Sequence, residues 1–166
     1  MAHVLIASDA DWVRDEVRQV LSRGHHSVHE SSVGSAVLPA VRHQSPDLAV
    51  LDFQIGNMGA MAVCADLHLE EGAGRLGHVP VLMLLDRRAD VFLARRSNAD
   101  GWVVKPLDPI RLRRAIEALL GGGTYFDATN RPETVVVTRG GGSGPPEPGG
   151  DRPTHPLESM PATDGL

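Results

Sequence analysis

The stretch Asp47-Leu48-Ala49-Val50-Leu51-Asp52 decides the fold of this 166-residue chain. Four consecutive apolar residues end at a carboxylate, and the glycine-containing loop 53–59 follows. This pattern predicts a buried parallel strand that leads through a loop into a helix. Open α/β sheets place their chemistry beyond the carboxyl ends of such strands. Asp52 is therefore the first candidate for a functional residue.

Similar units flank this strand on both sides in the sequence. The sequence predicts strands at 3–8, 26–30, 47–51, 80–85 and 101–104, alternating with helices at about 11–22, 33–43, 60–70, 88–97 and 109–119. Such alternation predicts an α/β fold with helices on both faces of a parallel sheet. Five strands favour a flavodoxin-like, doubly wound sheet in the order 2-1-3-4-5. The last helix has Asp108 as its N-cap, Pro109 at its first position and Gly121 beyond its end.

The composition limits the class of protein. The net charge of −5 argues against nucleic-acid binding by the whole molecule. The single cysteine, Cys64, excludes an intramolecular disulfide and fits a reducing compartment. Met1-Ala2-His3 leads directly into a strand without the basic start of a signal peptide, and no apolar run approaches the ~20 residues needed to span a bilayer. We therefore expect a soluble cytoplasmic protein without a membrane partner.

The composition changes near Gly121, where glycine and proline become frequent. We predict one domain over residues 1–120, an extension over 121–139 and a disordered Gly/Pro-rich tail over 140–166, which lacks the apolar surface to offset its ordering entropy. The extension has two apolar clusters, Tyr125-Phe126 and Val135-Val136-Val137. These could pack back on the domain or form an exposed strand.

Polar residues follow three of the predicted strands. Asp9 follows the first strand, Asp52 ends the third, and Lys105-Pro106 follows the fifth. Because the carboxyl ends of parallel strands lie at one edge of a sheet, two acids and a lysine could converge on one pocket.

Because it carries these residues after the predicted strands, the sequence over 3–120 resembles a response-regulator receiver domain of two-component signalling. The matching segments are Val4–Asp9, Pro46–Asp52, Pro80–Leu84, Ala99–Pro106 and Leu107-Asp108-Pro109. The resemblance implies that Asp52 accepts a phosphoryl group from a histidine kinase or a phosphotransfer protein. It also implies a Mg²⁺ ion held by Asp9, Asp52 and the backbone carbonyl of Gln54, a phosphoryl-pairing role for Lys105 and a cis bond before Pro106. Oxygen ligands and a fixed ammonium suit the charge neutralisation that phosphoryl transfer requires.

The departures from the family pattern concern the metal site and the switch. Ser8 stands where the family usually has a second acid, so we expect weaker Mg²⁺ binding. Leu85 stands at the position of the switch hydroxyl and cannot donate a hydrogen bond to a phosphoryl oxygen. Trp102 stands at the switch aromatic position. Asp86 replaces a small residue, and its carboxylate could either hold metal or repel phosphate.

Some of these residues also have plainer interpretations. Asp52 could be a structural carboxylate, and Asp9 could simply cap the first helix, a role that aspartate favours. Trp12 and Trp102 are more typical of packing than of ligand binding. Cys64 is best interpreted as a small buried residue on the third helix. The eight histidines lack metal-binding spacing.

Arginines are concentrated on or near the predicted fourth and fifth helices: Arg87, Arg88, Arg95, Arg96, Arg111, Arg113 and Arg114. They could be solvated helix faces with weak local ion pairs, or a docking surface for a downstream protein partner. No helix-turn-helix or other reader module follows, so we expect no direct DNA binding. A homodimer is one further alternative.

The sequence therefore predicts an atypical single-domain response regulator that acts through protein–protein contacts in phosphorelay signal transduction and is not an enzyme. A phosphotransfer intermediate and a phosphate-independent pseudo-receiver that only binds partners are the alternatives. An enzyme on the same fold is disfavoured, because neither a G-x-G-x-x-G motif after the first strand nor a P-loop is present.

Overall fold

A computed structural model describes residues 1–129 of the chain. The strands are β1 (His3–Ala7), β2 (Ser27–Ser31), β3 (Leu48–Asp52), β4 (Val81–Leu85), β5 (Gly101–Val104) and β6 (Tyr125–Phe126). The helices are α1 (Asp11–Ser22), α2 (Val37–Gln44), α3 (Ala60–Gly72), α4 (Val91–Arg96) and α5 (Pro109–Leu120). Short 3₁₀ turns, Gly34–Ala36 and Arg88–Asp90, precede α2 and α4. The tail predicted for 140–166 and the cluster Val135–Val137 lie outside the described residues.

All neighbouring strands of the sheet are parallel, in the order β2-β1-β3-β4-β5-β6. The predicted flavodoxin-like α/β fold and the order of its first five strands are confirmed. The described part of the sheet has one strand more than predicted, because Tyr125 and Phe126 pair with Gly101 and Trp102 at the outer edge of β5. Gly101 permits this approach, since a Cβ atom at that position would lie 2.7 Å from the Tyr125 carbonyl oxygen.

Each face of the sheet has its own hydrophobic cluster. Alternate strand residues, such as Val4, Val50 and Leu84, pack under α1 and α5. Their neighbours, such as Leu5, Leu51 and Leu85, pack under α2, α3 and α4. Burying each such side chain contributes about 1.5–3 kcal/mol. The two-sided burial explains why β3 and β4 are apolar without alternation.

Helix ends follow local chemistry where the sequence provides it. The Asp108 carboxylate accepts a hydrogen bond from the Arg111 backbone N–H at 2.8 Å, and Pro109 occupies the first turn of α5. The predicted N-cap of α5 is therefore confirmed, and the cap fixes where the chain leaves the β5 loop. Within residues 1–129, no helix combines the length and apolar character required to cross a membrane.

Candidate functional site

Asp52 lies at the carboxyl end of β3 and is 3% exposed. One carboxylate oxygen, Oδ2, accepts a hydrogen bond from the Ser8 hydroxyl at 2.7 Å. The other oxygen, Oδ1, accepts from the Lys105 ammonium at 2.8 Å. Ser8 is fully buried, so its hydroxyl is fixed by packing as well as by this hydrogen bond. The strand ends therefore bring the predicted Asp52 and Lys105 into direct contact.

Lys105 binds two carboxylates. Its ammonium also donates to Asp86 Oδ1 at 2.9 Å, and it lies 5.5 Å from the centre of the Trp12 ring. Burial alone would lower the pKa of Lys105, but the hydrogen bonds and charges of Asp52 and Asp86 outweigh burial and raise this pKa. Lys105 is therefore a charged ammonium that bridges the two acids.

The backbone around Lys105 is also fixed. The Lys105 N–H donates to the Leu85 carbonyl at 2.8 Å, which continues the pairing of β4 and β5 beyond the strand ends. The peptide bond between Lys105 and Pro106 is cis, as the resemblance implied.

Asp9 follows β1 and is exposed. Its Oδ2 accepts a hydrogen bond from the Gly56 N–H in the β3–α3 loop at 3.1 Å. The residue at the N-cap of α1 is Ala10, which provides no side-chain bond, so the interpretation of Asp9 as a helix cap is wrong. Gln54 is exposed in the loop that Asp9 contacts. Asp9 thus connects the end of β1 to the loop that carries the third predicted metal ligand.

The positions of the family's switch residues form part of the core. Leu85 is fully buried in the cluster that also contains Ala94 of α4 and Trp102 of β5. Trp102 is 3% exposed, and its ring centre lies 4.4 Å from that of Phe126. The Arg95 guanidinium lies 5.8 Å from the Trp102 ring centre. The prediction that Trp102 is a packing residue agrees with this geometry, whereas Trp12 is about half exposed beside Lys105.

Sequence reasoning missed Asp127, a buried carboxylate just after β6. Asp127 accepts hydrogen bonds from the Val104 N–H at 3.0 Å and from the Arg111 guanidinium. Arg88 donates to the Asp127 carbonyl at 2.6 Å. The only sequence signal was the apolar pair Tyr125-Phe126 ahead of it, because a single aspartate in a short extension carries no periodicity.

Four of the seven arginines on or near α4 and α5 bind groups of their own chain. Arg88 and Arg111 bind the segment after α5 of their own chain. Arg87 pairs with Asp90, and Arg113 pairs with Glu117. These arginines therefore have partners within the chain itself.

Cys64 is fully buried on α3, as predicted, and its thiol donates to the Ser97 carbonyl at 3.3 Å. Burial raises the pKa of Cys64 to about 12, with a smaller contribution from the Asp100 charge. Cys64 is therefore a protonated packing residue at neutral pH.

The sequence matches the response regulator receiver domain family over residues 4–117, more than half of the chain. The chain belongs to this family of two-component signalling domains. It is 31% identical over 143 residues to transcriptional regulatory protein CseB of Streptomyces coelicolor, covering 81% of this chain and 58% of CseB. It is 37% identical over 89 residues to DNA-binding response regulator MtrA of Mycolicibacterium smegmatis, covering 52% of this chain and 36% of MtrA. The matched part of the chain thus spans a little more than half the length of CseB and about a third of the length of MtrA.

Solved structures support the same fold. The chemotaxis response regulator CheY4 of Vibrio cholerae aligns with a TM-score of 0.64 and 21% identity, covering 72% of this chain and 98% of CheY4. A LuxR-family two-component response regulator from Aurantimonas aligns with a TM-score of 0.66 and 25% identity, covering 75% of this chain and 89% of that one.

These comparisons correct one expectation about partners. We expected no direct DNA binding, but relatives such as MtrA are DNA-binding response regulators, and CseB is a transcriptional regulator. The expectation is wrong because it rested on the net charge of this chain and on the segment after residue 120. Neither observation bears on the parts of the relatives that the matches leave uncovered, which are 42% of CseB and 64% of MtrA.

Proposed function

We propose that this receiver accepts a phosphoryl group on Asp52 and signals without the family's conventional switch. The observation that carries the proposal is the buried Asp52 carboxylate, held between the Ser8 hydroxyl and the Lys105 ammonium. An oxygen of Asp52 attacks the phosphorus of a phosphodonor, the bond from phosphorus to the donor's leaving group breaks, and an aspartyl phosphate forms. Such a transfer depends on positioning and charge neutralisation more than on covalent assistance.

Lys105 provides the neutralising charge in this proposal. Its ammonium already contacts Asp52 at 2.8 Å and is buried enough that solvent screens it weakly. As the phosphoryl group arrives, Lys105 can donate to its oxygens from the same side chain. A fixed donor of this kind stabilises developing charge without reorganising during the reaction.

We also propose a Mg²⁺ ion at this site, on the chemistry of the donor atoms alone. Asp9, Asp52 and the backbone carbonyl of Gln54 offer only oxygen atoms, the donor type that Mg²⁺ prefers. When bound, the ion would offset the negative charge of the phosphoryl group and the carboxylates. Ser8 brings a neutral hydroxyl where the family has an acid, and within residues 1–129 no cluster of three or more His, Cys, Asp or Glu side chains could hold a metal. We therefore propose a Mg²⁺ site of reduced affinity.

The readout is the atypical part of the proposal. In the family, a hydroxyl at the end of β4 responds to the phosphoryl group, whereas Leu85 here is fully buried and offers only methyl groups. This observation also favours a second candidate, a phosphate-independent signalling module in which Asp52 and Lys105 form a structural ion pair. Both candidates are signalling roles rather than enzymatic ones, and we propose a cytoplasmic location, with which the low cysteine content of the sequence is consistent.

Intact-mass analysis separates the two candidates. The protein is incubated with Mg²⁺ and acetyl phosphate, and the Asp52→Asn variant serves as the control. We expect a mass increase of about 80 Da in the wild type only, which corresponds to one phosphoryl group. An unlabelled but folded wild-type protein would favour the phosphate-independent module, and equal labelling of Asp52→Asn would show that another residue is the acceptor.

A further inference from the structure

The segment 124–129, here called the strap, follows α5 and lies beyond the 4–117 match to the receiver family. Its residues Tyr125 and Phe126 form β6 on the outer edge of β5. The Asp127 N–H then donates to the Trp102 carbonyl at 3.1 Å. The strap therefore follows β5 toward its carboxyl end, where Lys105 begins the pocket.

Asp127 is the buried centre of the strap. Its Oδ2 accepts from the Val104 N–H at 3.0 Å and from the Arg111 guanidinium, and its Oδ1 accepts from the Thr129 N–H at 2.9 Å and the Thr129 hydroxyl. Burial alone would raise the pKa of Asp127, but these hydrogen bonds and the Arg111 charge outweigh it and lower the pKa. Asp127 is thus an ionised carboxylate with two hydrogen-bond donors on each oxygen.

Asp127 and Arg111 together hold the backbone on both sides of Lys105. Before Lys105, the Val104 N–H is bound to Asp127. After Lys105, the Pro106 carbonyl accepts a hydrogen bond from the Arg111 guanidinium at 3.0 Å. Because Asp127 and Arg111 also bind each other, the two anchors form one connected unit.

We propose that Asp127 is a positioning residue for Lys105, acting through Val104 and Arg111. The proposal rests on the proposed function, because it concerns the lysine that would receive the phosphoryl oxygens. Asp127 does not touch the pocket itself. It fixes the position of the Lys105 backbone. The 2.8 Å contact between the Lys105 ammonium and Asp52 depends on that position.

The physical basis is the sensitivity of charge stabilisation to distance and angle. A donor that moves by a fraction of an ångström loses much of its benefit to a developing charge. The lysine side chain is long and flexible, so its end is defined only if its backbone is fixed. On one side, the Lys105 N–H is bound to the Leu85 carbonyl of β4. The strap fixes the outer side, where residues 1–129 provide no other strand next to β5.

The test measures Asp52 labelling by acetyl phosphate in a double-mutant cycle. Asp127→Ala should slow labelling by about tenfold in the wild-type background, because Lys105 becomes less well positioned. In the Lys105→Ala background, the same substitution should change the rate by less than about twofold, since the residue it positions is gone. An equal loss in both backgrounds would overturn the proposal and reduce Asp127 to a residue that only stabilises the fold.

Glu70→Ala is the matched control for stability. Glu70 is a buried carboxylate bound by Arg42 and Arg75, remote in the fold from the strap. Its loss should lower the melting temperature but leave the labelling rate of the folded protein unchanged. Should Asp127→Ala fail to fold, Asp127→Asn and Arg111→Lys alter the same contacts with smaller changes in volume. Wild-type labelling rates in both of these folded variants would contradict the proposal.

A second readout does not depend on phosphorylation. Crystal structures of the variants report directly whether the Lys105 ammonium keeps its contact with Asp52, which is 2.8 Å in the wild type. In Asp127→Asn, this distance should lengthen beyond hydrogen-bonding range, whereas Glu70→Ala should leave it unchanged. An unchanged contact in Asp127→Asn would overturn the proposal even if the wild type is never labelled. A displaced ammonium in an unlabelled protein would support the positioning role while the phosphoacceptor proposal fails.

Discussion

The pocket has two sides that differ in chemistry. On the acceptor side, Ser8, Asp52 and Lys105 are linked by short polar contacts at the ends of β1, β3 and β5. On the readout side, Leu85 and Trp102 are packed with α4 in a continuous apolar cluster. On the proposed function, the charges around the phosphoacceptor and the hydroxyl that senses phosphate are separate requirements. This chain would keep the charges, while Leu85 fills the position of the hydroxyl as part of the core.

Removing the Lys105 ammonium should damage the acceptor side most. Lys105→Ala should slow labelling of Asp52 by about 10²- to 10³-fold, the usual loss when one fixed donor to a developing charge is removed. The rate is measured from the time course of the mass increase with acetyl phosphate. Lys105→Arg is the matched control, because it keeps the charge and should retain part of the rate. A Lys105→Ala variant that labels as fast as the wild type would remove Lys105 from the proposed chemistry.

Asp86 lies at the border between the two sides. Its carboxylate binds the Lys105 ammonium and therefore competes with the arriving phosphoryl group for that ammonium. Asp86→Asn should raise the labelling rate by about fivefold, because a partly exposed carboxylate near the arriving phosphoryl group costs roughly 1 kcal/mol. Its side chain is 35% exposed, so solvent limits the effect. Glu117→Gln, a change of the same charge on the surface of α5, should leave the rate unchanged. A slower Asp86→Asn variant would indicate instead that Asp86 assists the reaction, for example by binding metal.

Leu85→Thr returns a hydroxyl to the readout side. We expect the labelling rate to rise by about threefold, far less than a preorganised donor provides, because the surrounding core is shaped for leucine. The free energy of unfolding should fall by about 2–3 kcal/mol, since a buried apolar side chain is shortened and a hydroxyl is buried. Urea denaturation measures this loss, and Leu85→Val separates it from the hydroxyl effect. Identical labelling of Leu85→Thr and Leu85→Val would show that the missing hydroxyl is not the cause of the atypical readout.

Acid stability should depend on a region outside the pocket. Hydrogen bonds from Arg75 and then Arg42 lower the pKa of Glu70 to about 2. Because this pKa lies below the ordinary value of about 4.3, the stabilisation is complete above that pH and is lost as the pH falls toward 2. Thermal melts of Glu70→Gln should therefore lose much of the pH dependence that the wild type shows in this range. If the pH dependence is unchanged, other carboxylates, including those of the pocket, dominate acid unfolding.

The sequence was sufficient for the parts of the structure that depend on local pattern. Apolar runs and helix caps predicted the five βα units, and the pattern of residues placed Asp52 and Lys105 at the carboxyl ends of two strands of one sheet. Tertiary packing decided the rest. A two-residue strand such as Tyr125–Phe126 has too few residues to show periodicity, and its pairing depends on the missing side chain at Gly101. The choice of Lys105 as the partner of Asp86, and of Asp127 as the partner of Arg111, depends on distances between segments that the sequence does not contain.

Amide hydrogen exchange of the labelled protein tests the separation of the two sides most directly. Wild type and Asp52→Asn are each incubated with Mg²⁺ and acetyl phosphate, and exchange is compared peptide by peptide. We predict that labelling changes exchange in the wild type around residues 8–10, 52–59 and 105, with no change over 88–102, where α4 and Trp102 lie. Exchange over 88–102 that changes with labelling in the wild type, and not in Asp52→Asn, would contradict the account by showing that the readout side responds to phosphate without the hydroxyl.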